Sequence, residues 1–149
     1  MPTTRTANVE WAGGLTDGTG TIVSTTSGTI GPLEVTWAAR QDAASGLVSP
    51  EELLAAAHAS CYAMALSSGL AKGGFEIEKL EISAAVTFEP GVGVTGSELT
   101  VRGKVGADDA QFRELAEAAK VNCPVSKALA AIEITLVLPD LQEAAGRAG

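Results

Sequence analysis

Ser49-Pro-Glu-Glu-Leu-Leu-Ala-Ala-Ala-His-Ala-Ser-Cys-Tyr-Ala-Met-Ala-Leu66 is the stretch around which the rest of the chain must be arranged. Ser49 suits an N-cap and Pro50 the first helical position. Glu51 and Glu52 put negative charge in the first turn, where it complements the helix dipole. With Glu52 three residues after Ser49, the segment also satisfies a capping box. The predicted helix continues to Leu70 and stops at Gly73-Gly74. From Leu53 to Leu70 it is apolar on nearly every face, the pattern of a helix enclosed by protein. His58, Ser60, Ser67 and Ser68 interrupt the apolar run, and Glu51, Glu52 and Lys72 flank it. A buried core helix therefore explains it better than a membrane span. One chain of 149 residues has little else with which to wrap such a helix. The expectation is an intimate homodimer in which two of these helices pack together.

Outward from this helix the pattern changes. On its N-terminal side, Ala7 to Trp11, Thr21 to Thr25 and Leu33 to Ala39 read as three strands of an antiparallel meander, the last ending at Arg40. Gly13 to Gly20 supplies turn chemistry, with Asp17-Gly18 a favourable hairpin dipeptide. On the C-terminal side, Ile77 to Glu89 and Glu98 to Val105 are strands joined by a glycine-rich loop. Within that loop, Gly91-Val-Gly-Val-Thr-Gly96 matches a dinucleotide-binding fingerprint in letters only. That motif needs a strand before it and a helix after it, whereas here strands lie on both sides. A helix from Gln111 to Val121, capped by Asp108 or Asp109, precedes a short helix from Pro124 to Ala131 and a last strand, Glu133 to Leu138. The fold class is α+β: antiparallel sheets around a long buried central helix, in one domain over residues 1–139. Residues 140–149 read as a mobile tail.

Composition narrows the function. The net charge is -8 and hydrophobic residues make up 46% of the chain. Such a chain folds around a real core, and its acidic surface disfavours both nucleic acid and anionic lipid. The start, Met1 to Trp11, lacks the apolar core of a signal peptide, so a cytoplasmic location is expected. Two cysteines in that compartment do not form a disulfide framework. They are either inert core residues or reactive thiols. Together with the single His58 they make too thin a ligand set, without zinc-like spacing, so no metal and no cofactor are expected.

Reactive thiols of this kind suit peroxide reduction. A thiolate attacks one peroxide oxygen, and a second thiol captures the resulting sulfenic acid as a disulfide. Cys61 lies mid-helix among Ala57, Met64 and Ala65, a setting that raises a thiol's pKa, so a cation must activate it. His58, one turn earlier, reads first as a buried histidine bonded to a carbonyl and second as a base. Arg40 is the stronger candidate because its fork stays charged and can hold a carboxylate while facing a thiolate; the competing reading is a solvated surface charge. Glu51 is placed to orient Arg40, although a first-turn dipole charge also accounts for it. Glu51 and Cys61 are about 15 Å apart along a straight helix, so joint action requires a helix break or a second subunit. Cys123 directly precedes Pro124, near the N-cap of a short helix.

The segments Ser49 to Leu66 and Asn122-Cys-Pro-Val-Ser-Lys127, with the pattern P-E-E-L…A-A-H-A-x-C followed much later by C-P-V-S, resemble the osmotically inducible protein C and organic hydroperoxide resistance (OsmC/Ohr) family. The likeness covers nearly the whole chain, and His58 is similar to the osmotically inducible branch. The resemblance implies an intertwined, domain-swapped α+β homodimer with two active sites at the subunit interface. It also implies thiol peroxidase activity, with organic hydroperoxides preferred over hydrogen peroxide and a dithiol reductant, for which the family suggests dihydrolipoyl groups, as electron donor. Residue by residue, Cys61 resembles the peroxidatic cysteine, Cys123 the resolving one, and Glu51 the glutamate that pairs with an arginine. In the hydroperoxide-resistance branch that arginine lies in the N-terminal hairpin; Gly13 to Gly20 here contains none, and Arg40 looks like the osmotically inducible branch's substitute. The competing class is a small hydrophobic-ligand binding protein with silent thiols.

Overall fold

The structure, a computed structural model, describes residues 1–141. Its contacts divide the chain into two compact units, Met1–Leu53 and Leu54–Gly149.

In the first unit, β1 (Ala7–Ala12), β2 (Thr19–Thr25) and β3 (Leu33–Val35) form an antiparallel sheet in chain order. The β1–β2 connection closes where the sequence predicts it. Gly14 N–H donates to Asp17 Oδ1 at 2.9 Å. Gly13 has a φ of 95°, and a Cβ there would meet Gly18 Cα at 2.8 Å, so the turn requires glycine. The third strand is shorter than its sequence indicates. Thr36 leaves the sheet and caps α1 (Trp37–Gln41), its side chain accepting from Ala39 N–H at 3.0 Å. A threonine cap ahead of Ala38-Ala39 favours helix over strand, and Arg40 therefore lies on a helix rather than at a strand end. Few side chains of this unit are buried: Ile22, Ala39 and Glu51. Val9, Trp11, Leu15, Val23 and Ile30 stand exposed.

Helix α2 (Pro50–Lys72) is uninterrupted over its 23 residues. Glu52 N–H donates to Ser49 Oγ at 3.2 Å, half of the expected capping box. Its C-terminus is a Schellman motif: Gly74 has a φ of 81°, Phe75 N–H donates to Leu70 C=O, and Gly74 N–H to Ala71 C=O. His58, Tyr62, Leu66 and Leu70 recur every fourth residue and are buried, forming one stripe toward the core. On the other side Ala56, Ala57, Ser60, Met64 and Ser68 are exposed, Met64 by 72%. By length and composition alone α2 could cross a membrane, yet its stripe of His58, Tyr62, Leu66 and Leu70 packs into protein.

The second unit is built on β4 (Ile77–Glu89), β5 (Gly93–Val105) and β6 (Glu133–Val137). β4 and β5 are antiparallel; β6 joins β5 in parallel. That direction follows from the connection, since α3 (Asp109–Asn122) and α4 (Pro124–Ala128) carry the chain back before β6 begins. Asp108 caps α3 with a full capping box, Gln111 N–H to Asp108 Oδ1 at 2.8 Å and Asp108 N–H to Gln111 Oε1 at 3.0 Å. Tyr62, Leu66 and Leu70 of α2 share one core with Leu99 and Val101 of β5 and Phe112 of α3, and Cys123 belongs to it. The expected tail begins at Asp140, which pairs with Arg102 at 3.5 Å; from residue 142 onward it lies outside the described residues.

Candidate active site

The anticipated residues fall into two pairs. The first unit holds an ion pair. Arg40, on α1, donates from Nε and Nη2 to the same oxygen of Glu51, Oε1, at 2.9 and 2.7 Å. Its guanidinium also stands 5.9 Å from the centroid of the Trp37 ring, within cation–π range. Glu51 is buried, and its other oxygen, Oε2, has no hydrogen-bond partner among the described residues. A buried carboxylate oxygen without a donor is costly.

The second unit holds the thiols. Cys61 is half-buried on α2, Cys123 is wholly buried between α3 and α4, and both are free. They are near enough to influence each other's ionisation, and Cys61 packs against the core that contains Cys123. Burial pushes the Cys61 thiol up from its ordinary value. The Val125 hydrogen bond pulls it down, and the neighbouring Cys123 pushes it up again. The sequence reading, that this helix interior does not activate the thiol by itself, matches this environment. Cys123 is the N-cap of α4 as anticipated, but its side chain makes no capping bond; the thiol turns into the core instead.

His58 is neither solvated nor bonded to a carbonyl. Its Nδ1 lies 2.7 Å from Ser97 Oγ on β5 and its Nε2 lies 2.8 Å from Ser126 Oγ on α4, with all three residues buried. Burial lowers its pKa, so the ring is neutral near pH 7. Sequence reasoning missed both serines as partners. Ser126 sits in the quoted C-P-V-S segment, which was the available signal; nothing local marks Ser97. Tyr62, one residue after Cys61, is buried and donates to Ala116 C=O at 2.8 Å.

A groove of 390 Å³ runs between α2 and α3, lined among others by Ala65, Gly69, Leu115 and Ala119, with Lys72 and Pro124 also on its wall. Small side chains keep it open, and Pro124 adjoins Cys123. A second cleft of 390 Å³, on the sheet among Thr87, Glu98, Glu133 and Thr135, is lined by neither thiol and is set aside on chemical grounds. Ten residues of unbroken helix, about 15 Å, separate Glu51 from Cys61.

Residues 43–137 match the family described as OsmC-like protein. The peroxiredoxin OsmC of Escherichia coli (strain K12) is 35% identical over 130 residues, covering 85% of this chain and 89% of that protein. The organic hydroperoxide resistance protein OhrB of Bacillus subtilis has a similar structure, with a TM-score of 0.69 and 28% identity over 89% of this chain and 97% of that one. An organic hydroperoxide resistance protein OsmC from Legionella pneumophila shares the fold at a TM-score of 0.64 and 21% identity, over 89% and 97% of the two chains. An α+β chain with such relatives is a peroxidase of the peroxiredoxin type. More narrowly, the chain belongs to the OsmC-like protein family.

Proposed function

We propose that the chain reduces organic hydroperoxides, and hydrogen peroxide more weakly, through Cys61 and Cys123. The Cys61 thiolate attacks the outer peroxide oxygen and the O–O bond breaks. The organic fragment leaves as an alkoxide and takes up a proton to become the alcohol. Cys123 then displaces water from the Cys61 sulfenic acid to give a disulfide, which an external dithiol, of the dihydrolipoyl type, reduces. The observation that carries this reading is the approach of two free thiols from elements far apart in sequence. The α2–α3 groove, apolar and next to Pro124, suits the organic part of the substrate.

Activation of Cys61 falls to Arg40, oriented by Glu51, and requires a homodimer. Two observations support this: the intact helix between Glu51 and Cys61, and the exposed apolar side chains Val9, Trp11, Leu15, Ile30 and Met64. A second copy that covers these side chains also brings its ion pair to the thiol, and residues 1–139 of each chain act as one domain. The reaction suits a reducing cytoplasm, where dithiols regenerate the enzyme. Thiol titration before and after one equivalent of cumene hydroperoxide tests the reading: two thiols per chain disappear. Loss of none would favour a protein that binds a small hydrophobic ligand with silent thiols. A monomeric mass by light scattering at micromolar concentration would remove the two-chain site.

A further inference from the structure

Two of the contacts between α2 and α4 have matched spacing. Along α2, His58 and Cys61 are three residues apart and so share a face. From the start of α4, Cys123 and Ser126 are likewise three apart. His58 meets Ser126 at 2.8 Å, and Cys61 packs against the core that contains Cys123 and responds to its charge. These contacts are successive rungs between the same two elements. Fixing one rung fixes the length of the other.

The tether matters because α4 cannot hold itself in place. It has five residues and begins with Pro124, and a single helical turn is unstable without tertiary support. The His58 ring is braced from behind by Ser97 of β5 at 2.7 Å. In either neutral tautomer one ring nitrogen donates and the other accepts, so the ring bridges both hydroxyls at once. All three side chains are buried, so water does not readily take the place of either bond.

We infer that His58 is a positioning residue for the second half of the reaction: through Ser126 it holds α4 so that Cys123 stays beside Cys61, and the sulfenic acid is captured before it is oxidised again. This rests on the resolving role proposed for Cys123. Two steps compete for the sulfenic acid. In capture, the Cys123 thiol and the Cys61 sulfenic acid give the disulfide and water. In over-oxidation, the sulfenic acid and a second hydroperoxide give the sulfinic acid and an alcohol.

The experiment measures the fraction of Cys61 carried to sulfinic acid, by intact-mass spectrometry, across a series of cumene hydroperoxide concentrations. Ser126→Ala removes the α4 bond alone, Ser97→Ala removes the β5 bond alone, and Ser126→Thr keeps the hydroxyl. The hydroperoxide concentration giving half over-oxidation is expected to fall about tenfold in Ser126→Ala and to recover in Ser126→Thr. Ser97→Ala is expected to lower the melting temperature with a smaller effect on this partition. In a Cys123→Ser background, which has no capture step, Ser126→Ala should leave the rate of sulfenic acid formation within about twofold. An unchanged partition in Ser126→Ala, or equal shifts in the two alanine variants, would overturn the inference. If the unmodified protein forms no disulfide at all, the resolving role itself fails, which is a different result.

Discussion

The two units of the chain handle polar chemistry in opposite ways. The second holds the larger core, with Tyr62, Leu66, Leu70, Leu99, Val101 and Phe112, and both cysteines lie in or against it. Its histidine, His58, is kept neutral and satisfied on both nitrogens. The first has few buried side chains, yet it contains a buried carboxylate with a bidentate arginine and one oxygen left over. A low-dielectric core shelters a thiol but opposes its ionisation, while a fixed guanidinium favours ionisation but needs a thiol to act on. Each unit thus supplies what the other lacks. The two-chain site proposed for this chain would combine the two.

The sharpest way to break the comparison is at the thiol. Cys61→Ser removes the proposed nucleophile, and hydroperoxide turnover with a dithiol donor should fall about a thousandfold or more, to the uncatalysed level. Retained turnover would mean that the packed unit merely stores two inert cysteines. Cys123→Ser separates the two roles within that unit. A first equivalent of hydroperoxide should still oxidise Cys61, seen by trapping with dimedone, whereas steady-state turnover should fall about tenfold or more as sulfinic acid accumulates.

The charged unit is tested next. Arg40→Lys keeps the charge but not the fork that places two N–H groups on Glu51 Oε1. Loss of that geometry should lower kcat/KM about 10- to 100-fold with the fold intact. If the arginine were only a solvated charge, the change would be negligible. Glu51→Gln should act in the same direction through loss of the ion pair, since it leaves Arg40 without its carboxylate.

How much of this was legible in the sequence differs between the units for physical reasons. The α2 boundaries were readable because Ser49, Pro50 and Gly73-Gly74 act locally, on the hydrogen bonds of their own turns. β4 was readable from its alternation. The Arg40–Glu51 pair was foreseeable because its members are eleven residues apart. Its local structure was not, because Leu33-Glu-Val-Thr-Trp37 alternates as a strand does, and a helix becomes favoured only through the Thr36 cap. The partners of His58 are 39 and 68 residues away. Nothing along the chain encodes such pairings; they arise only when β5 and α4 pack on α2. For the same reason, sequence reasoning foresaw Cys123 at a helix start but not its burial.

The smallest expected effect concerns His58 and acts on stability. It is the single histidine of the chain, so its titration can be isolated. In the folded state burial keeps the ring neutral, whereas the unfolded ring takes up a proton near the ordinary value of 6.5. Below that pH the unfolded chain holds one more proton than the folded chain, and the folded state is disfavoured by mass action on protons. Stability therefore declines as pH falls through 6.5, by at most about 1.4 kcal/mol per pH unit for one group, until the buried ring itself accepts a proton. Carboxylates add their own acid-dependent loss, which a substitution at His58 leaves in place. His58→Gln carries a neutral amide at every pH, so it should be less stable than the unmodified protein at pH 8, and the difference should shrink by about 1 kcal/mol by pH 5.5. Urea unfolding at the two pH values measures it. A pH-independent difference would show that the ring is already protonated or solvated, and that the packed unit is wetter around α4 than its geometry indicates.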